Sequence, residues 1–477
     1  MVVLCMAFLL GLVLAKLNAN FSLIWLPIAG LLLGASWLTT GQLSKACSLL
    51  LLGVVLGWWR GQVFTQQLLA YTGLNNQKVT ITATATTDAV YDRASQLSFD
   101  VANIHLQAPA KRAMLGQIGV TGYGVSMVHR GDMVKVTGKL FQTRGARQAR
   151  IGFAQLSYIH GDTAAINTVR LRFLSGMQSA LPEPLASFGL GLLIGQRNTL
   201  PQIITLQLSV VGLTHLIAVS GYNLTILMRG VRRLTGKRSK YQTTMLSLLI
   251  ISVFLLFSGF SASIVRAALV SMLSLGAWYY GRRLRPLLVV LLPAALTAGW
   301  YPLYLWSDLG WHLSFLAFFG ILIVAPLLTT RFHHMHRSHP LALMLIESLA
   351  AEAMTLPVTM LIFGQISLTS LLANVLVVPM VPIAMFLSMI AGLGGLLAPS
   401  LAGWLAWPAR LVLTYMLDVV HVLSRLPHAA TKLTMTVVEL LVAYAIIVLL
   451  SLVMWHKTRL KHGIITEIKS SNLGEVS

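Results

Sequence analysis

The sequence predicts a polytopic α-helical membrane protein with an inserted small β-barrel, a soluble domain of OB-like type. Three observations carry this. Of 477 residues, 56% are hydrophobic and only 10% charged, against about 25% charged in a soluble protein. Apolar runs near the ~20-residue length that crosses a bilayer recur along the chain. Between residues 77 and 160 that pattern stops, and apolar and polar residues alternate with period two, as in half-buried strands.

Residues 1–70 form an amino-terminal block with apolar runs near 2–15, 23–38 and 47–59. The first run lacks the basic start and the A-x-A site of a signal peptide, so it reads as a retained helix. Trp58, Trp59 and Arg60 form an interfacial anchor after the third run. Cys5 and Cys47, both in apolar runs, support neither a disulfide framework nor a zinc site.

Residues 75–160 form the β-domain. Val79, Ile81, Ala83 and Ala85 alternate with Thr80, Thr82 and Thr84, and Val134 and Val136 with Lys135, Thr137 and Lys139. Turns fall at Gly122-Tyr123-Gly124 and Arg144-Gly145-Ala146. About five strands suit an OB-type barrel, although strand count alone does not separate it from other small β-domains. Lys135, Lys139, Arg144, Arg147 and Arg150 are the candidate DNA-binding residues. Single strands bind without sequence preference to a basic groove that carries aromatic platforms. Tyr91, Phe99, Tyr123, Phe141, Phe153 and Tyr158 include candidate platforms, but an aromatic in a small barrel more often fills the core.

Residues 161–200 are an amphipathic, interfacial segment. Ile166, Val169, Phe173, Met177 and Leu181 share one helical stripe, which predicts a helix on the membrane surface. Residues 201–456 are almost continuous membrane helix, with spans at 206–228, 242–259, 263–280, 286–300, 309–328, 341–363, 368–397, 401–423 and 434–454. The run 368–397 is long for one span and contains Asn374, Pro379 and Pro382, so two helices or one broken helix are expected. Residues 457–477 are a tail.

The net charge is +22, from 35 basic and 13 acidic residues. Much of it serves orientation. Basic clusters at 229–240, 282–285 and 331–337, and in the tail, are expected in the cytoplasm, which puts the β-domain outside.

The stretch from Gly212 to Leu224 stands out within the run 206–228. His215, Ser220, Gly221 and Asn223 are polar or small where lipid exposure asks for neither. On an unbroken helix His215 and Asn223 lie roughly 80° apart and line one interior face. The same residue types also serve as packing between membrane helices.

Catalytic motifs are lacking. There is no G-x-x-x-x-G-K-[ST] loop and no G-x-S-x-G elbow. His333-His334-Met335-His336, with His339, has no acidic partner at ligand spacing and reads as a basic interfacial loop. No catalytic residue, metal or cofactor is assigned. Asp308, Glu347, Glu352, Asp418 and Glu439 are too scattered to show a proton relay. Arg266 either holds a phosphate or pairs with Asp308.

Four ordered motifs resemble the ComEC competence family. Gly212 to Leu224 resembles its G-x-x-H-L-x-A-x-S-G-x-H-x signature, with Asn223 at the second His position. Ser261 to Ala267 resembles its small-residue turn before an Arg-Ala helix start. Ser307 to Phe315, including Asp308 and Ser314, resembles S-D-x-G-F-Q-L-S-F, with Trp311 and His312 substituted. Leu372-Ala373-Asn374 leading to Pro379 resembles A-N-x-x-x-x-P. The resemblance implies a multi-pass channel of the bacterial inner membrane that passes single-stranded DNA during natural transformation. His215, Ser220, Gly221, Asn223, Arg266, Asp308, Ser314 and Asn374 would be its motif residues. The implied partners are single-stranded DNA and the lipid bilayer, with a DNA receptor, a cytoplasmic helicase or a separate nuclease beside them. The carboxy-terminal H-x-H-x-D-H nuclease domain of many relatives is not found in this sequence. The alternative is a secondary transporter or membrane enzyme for a small amphiphile, using His215, Arg266 and Asp308.

Overall fold

The structure is a computed structural model that describes residues 1–17, 30, 42–91, 96–143, 147–161, 165–196, 199–217, 221–234, 239–282, 284–331 and 340–471. The expected run near 23–38 (apart from residue 30), Arg144, Ser220 and the His333–His339 loop lie outside them.

Apolar composition dictates helix wherever hydrocarbon leaves backbone groups no other partner. Among the described residues, seven helical segments are long and apolar enough to cross a membrane: Lys45–Thr72, Lys240–Ser258, Leu309–Thr329, Ala342–Phe363, Ser370–Leu397, Pro399–Ser424 and Val437–Met454. The protein is a multi-pass helical membrane protein with an inserted sheet domain. Val2–Lys16 and Pro286–Trp300, at 15 residues each, reach only about 22 Å.

In chain order the helices are α1 (Val2–Lys16), α2 (Gln42–Thr72), α3 (Ala165–Ala180), α4 (Leu185–Ile194), α5 (Gln202–Val210), α6 (Thr214–Ile217), α7 (Gly221–Leu234), α8 (Lys240–Ser258) and α9 (Ala262–Tyr279). They continue as α10 (Pro286–Trp300), α11 (Leu303–Ser307), α12 (Leu309–Phe319), α13 (Ala325–Arg331), α14 (Pro340–Phe363), α15 (Ser370–Val377), α16 (Val381–Leu397), α17 (Ala402–Ser424) and α18 (Val437–Ser471). A π-helical turn, Gly320–Val324, joins α12 to α13. A 3₁₀ turn at Val378–Met380, carrying Pro379, breaks the run 368–397 between α15 and α16.

The chain divides into two compact units. The first comprises Met1–Pro201, Leu216–His312 and Ala384–Leu413. It contains the strands β1 (Lys78–Ala85), β2 (Val90–Tyr91), β3 (Leu97–Ala108), β4 (Arg112–Met114), β5 (Ile118–Tyr123), β6 (Met133–Gln142) and β7 (Ala149–His160). They run in the order β1-β6-β7-β5-β3, and β3 pairs back with β1 to close a five-stranded barrel. Among the described strands only the β5–β7 pairing is parallel. This is the Greek-key connectivity of the OB-fold. Val79, Ile81, Val101, Ile118, Val136 and Ile151 fill the interior, as their alternation requires.

The helices hold the barrel at several points. The Tyr71 hydroxyl at the end of α2 donates to Leu115 O at 2.7 Å. The Tyr301 hydroxyl donates to Gln148 Oε1 at 2.7 Å. From α3, Arg170 forms a buried, two-pronged ion pair with Asp88, one contact being Nη1 to Oδ1 at 3.1 Å. Phe173, Met177 and Leu181 of the expected apolar stripe are buried, whereas Val169 is exposed. Leu174 is buried too, and a Cβ on Gly395 of α16 would lie 1.9 Å from Gly176 O, so the two backbones touch. All ten residues of α4 are buried. Arg60 donates to the last carbonyls of α10, Gly299 O and Trp300 O, both at 2.9 Å, beyond its expected role as an anchor.

The second unit comprises Gln202–His215, Leu313–Ile383 and Thr414–Ser477. Here β8 (Gln365–Ser367) pairs antiparallel with β9 (Ala430–Lys432), and the Tyr444 hydroxyl ties α18 to Met354 O of α14 at 2.9 Å.

Candidate functional site

Two places concentrate polar chemistry: the outer face of the barrel and the motif turns of the membrane helices.

On the barrel, strand register decides which side chains meet. Lys78 of β1 lies opposite Lys139 of β6, and Lys139 opposite Gly152 of β7. Lys135 lies opposite Ser157, and Phe141 opposite Arg150. Lys78, Lys135, Lys139 and Arg150 are all exposed. Directly opposed like charges destabilise a sheet, so the Lys78–Lys139 pair is not there for stability. The barrel's described carboxylates do not neutralise this face. Asp88 is held by Arg170, Asp100 pairs with Arg147 Nε at 2.7 Å, and Asp132 Oδ2 accepts from His129 N at 2.8 Å. Burial alone would raise the Asp88 pKa, but the hydrogen bond and charge of Arg170, with the Arg130 amide, hold it below the ordinary carboxylate range. For Asp100 burial wins over Arg147 and raises the pKa.

Aromatics complete the face. Phe153 is 75% exposed, with φ +49°, a backbone region that a bulky residue rarely adopts. It sits where β7 gains one residue against both neighbours. Thr137 and Lys139 of β6 face Gln155 and Gly152, while Val120 and Gly122 of β5 face Ile151 and Ala154. A bulge re-aims a side chain. Phe141 is exposed beside it, with Lys139 Nζ 5.9 Å from its ring centroid. Of the six candidate aromatics only Phe99 is in the core; Tyr91, Tyr123, Phe141, Phe153 and Tyr158 are exposed. Lys78 escaped the sequence reading, since nothing in a strand-opening lysine announces its neighbour 61 positions on.

The expected span 206–228 is not one helix. α5 stops at Val210, Gly212 takes φ +77°, and α6 and α7 follow. The wheel angle between His215 and Asn223 therefore does not apply, because Gly212 bends the chain as only glycine does without strain. Gly212 and His215 act together. Gly212 O can only accept, so His215 Nδ1 carries the proton and donates to it at 3.1 Å. His215 is exposed. A Cβ at Gly212 would lie 2.8 Å from Ser370 Cβ, so this turn rests on the start of α15. Asn223, in the other unit, is 2% exposed, and its Nδ2 donates to Leu192 O at 2.7 Å. Leu192 lies in the last turn of α4, where carbonyls lack helical partners, so Asn223 serves as a side-chain cap. Gly221 opens α7.

Asp308 begins α12. Its Oδ1 accepts from Trp311 N at 3.1 Å, its own carbonyl accepts from His312 Nδ1 at 2.7 Å, and Trp311 Nε1 donates to Thr297 Oγ1 at 2.9 Å. An aspartate in this place satisfies an orphan amide and opposes the helix dipole.

A family model described as "Competence protein" matches residues 192–458, more than half of the chain. The chain belongs to the competence protein family. It is 27% identical over 293 residues to "ComE operon protein 3" of Bacillus subtilis (strain 168), a match that covers 58% of this chain and 36% of that relative. The match thus spans about a third of the relative's length. No solved structure matches.

Within the family-matched region the remaining motif residues are dispersed. Arg266 is buried in the first turns of α9, beside the cluster of Leu224, Ile264, Ala267 and Ala268. Ser314 is half-buried in α12. Asn374 is half-buried in α15, four residues before the helix tightens at Val378–Met380, and its Oδ1 is sequestered without a hydrogen bond. The barrel precedes the matched region. Among the described residues no group of three or more His, Cys, Asp or Glu could hold a metal.

Proposed function

We propose that this protein passes single-stranded DNA across the bacterial inner membrane during natural transformation. Support comes from family membership together with one feature, the barrel face of Lys78, Lys135, Lys139 and Arg150 set among exposed Phe141 and Phe153. Cations there attract phosphates and rings stack bases, a combination that tolerates any sequence. The distribution of basic loops supports a reading in which this face lies outside, where a strand would arrive. From there phosphates need a polar path through the membrane block, because they cannot cross hydrocarbon. His215 and the Gly212 turn, which rests on the start of α15, are the proposed lining in the second unit, where Ser314 and Asn374 also lie. A DNA receptor outside and a helicase inside are the partners this reading calls for.

The test is uptake of labelled DNA by cells carrying the wild-type chain, no chain, or the triple variant Lys78→Glu, Lys139→Glu, Arg150→Glu. Uptake should require the chain and fall at least tenfold in the variant at equal membrane abundance. Equal uptake in all three would refute the proposal.

A further inference from the structure

Strand register places four residues in one row on the outside of the barrel. Asp100 of β3 lies opposite Gly119 of β5, Gly119 opposite Arg150 of β7, and Arg150 opposite Phe141 of β6. Their chain neighbours Val101, Ile118, Val120, Ile151 and Leu140 are buried in the core, so the row points outward. Gly119 is nevertheless buried. What covers it is Arg147, from the turn between β6 and β7. A Cβ at Gly119 would lie 2.8 Å from Arg147 Nη1 and 3.0 Å from its Cδ.

The Arg147 side chain is held in place. Asp100 grips its Nε at 2.7 Å and its Nη2 at 3.0 Å, which turns Nη1 over Gly119. The turn is pinned as well. The Thr143 hydroxyl donates to Arg147 O at 2.9 Å, and Gln148 N donates to Gln117 O at 3.0 Å. On the next strand Arg150 Nη2 donates to Thr121 Oγ1 at 3.3 Å. Two exposed arginines thus border one position without a side chain. Glycine inside a strand weakens it and often marks a place where a ligand comes close. Like charges side by side on a sheet are destabilising, and a phosphate between them reverses that.

We propose that Arg147 and Arg150 form a seat for one phosphodiester group over Gly119, with Asp100 holding Arg147 at its angle. The proposal rests on the DNA reading and adds to it a residue whose charge is already offset. A guanidinium with two nitrogens engaged by a carboxylate still has Nη1 to donate, and its planar fork suits phosphate oxygens. Arg147 therefore supplies direction and hydrogen bonds, and Arg150 supplies the net charge. Phe141 flanks Arg150 on the other side, one strand spacing of about 4.8 Å away. A base stacked on Phe141 brings its phosphate beside Arg150, so the nucleic acid crosses β6, β7 and β5 and does not follow any one of them.

The test is fluorescence anisotropy of a labelled oligothymidine with the full chain in a sugar-headed detergent, which brings no lipid phosphate. The double variant Arg147→Gln, Asp100→Asn removes the pair and keeps the net charge. It should weaken binding about tenfold, the scale of a lost hydrogen bond to a charged group, with the salt slope unchanged. Gly119→Ala alters no charge and displaces only the flexible end of Arg147. It should weaken binding by itself and have no further effect in the double variant. A basic face without a seat would bind equally well in both. Wild-type affinity in a double variant whose barrel still resists protease, or no binding by the wild type, overturns the seat. Inorganic phosphate in place of chloride at constant ionic strength should leave the strand bound; its full displacement would assign the seat to free phosphate and overturn the proposal. Failure of the DNA reading would appear elsewhere, as cellular uptake that does not depend on the chain while the variants still lose oligothymidine.

Discussion

Removing Phe153 should weaken single-strand binding without changing its salt dependence, whereas removing Lys139 should do both. The face presents four exposed cations, Lys78, Lys135, Lys139 and Arg150. At about −0.7 per phosphate neutralised, the log–log salt slope should be near −2.8, so doubling the salt weakens binding roughly sevenfold. Lys139→Ala should move the slope to about −2.1. Phe153, 75% exposed on a strained bulge, has almost no packing to lose. Its substitution by Ala therefore reports stacking, worth about 1–3 kcal/mol per base, or about fivefold to 150-fold in Kd. The assay is fluorescence anisotropy of a labelled oligothymidine with the full chain in nanodiscs, across a salt series. Unchanged affinity in Phe153→Ala would refute stacking there. An unchanged slope in Lys139→Ala would mean that the strand does not lie on this face.

Further outcomes are expected. Arg170→Ala strands Asp88, 9% exposed, and should cost about 3–5 kcal/mol, read as faster proteolysis of the barrel; the double variant Arg170→Met, Asp88→Leu should recover most of it. Because the folded pKa of Asp88 is depressed, its stabilisation is present above the ordinary carboxylate range and lost as pH falls through the lower folded value, so barrel protection should drop in acid for wild type but not for that double variant. Gly212→Ala meets both a positive φ and Ser370 Cβ, and should lower folded yield by about 1–3 kcal/mol of strain; Ser370→Gly should relieve only the contact. Asp308→Ala should cost about 1 kcal/mol as a lost cap, with Asp308→Ser largely neutral in thermal melts. For topology, in a Cys47→Ser background that removes the exposed thiol, Gln142→Cys should react with an impermeant reagent in intact cells and Lys240→Cys should not.

Period decided what could be read from the sequence. Alternation over Val79–Ala85 reappears as β1 buried at every second position, and the apolar runs reappear as helices because hydrocarbon permits little else. Hydropathy averages over a window, however, and could not see Gly212 cutting 206–228 into short helices, which depends on one backbone angle. Pairs far apart in sequence were equally hidden: Asp88 with Arg170, Lys78 with Lys139, and Asn223 with the end of α4. The aromatics misled for a physical reason. Core-filling is the usual fate of a ring in a small barrel, but Phe153 is the extra residue of a bulge, and composition does not encode a bulge.

The mounting of the barrel bears on how a long polymer would be fed inward. Tyr71, Tyr301 and Arg170 grip the barrel at separate points, reaching Leu115, Gln148 and Asp88. Fixings at three separate places restrain hinging about any one of them. On the proposed function the domain would then be no swinging arm that hands a strand on. On that reading it would serve as a guide held in one bearing, and slack in an incoming filament would have to be taken up in the filament itself. Lengthening the link between α2 and β1 by flexible residues should therefore change little while those three grips hold, whereas loosening the grips would turn the guide into a tether.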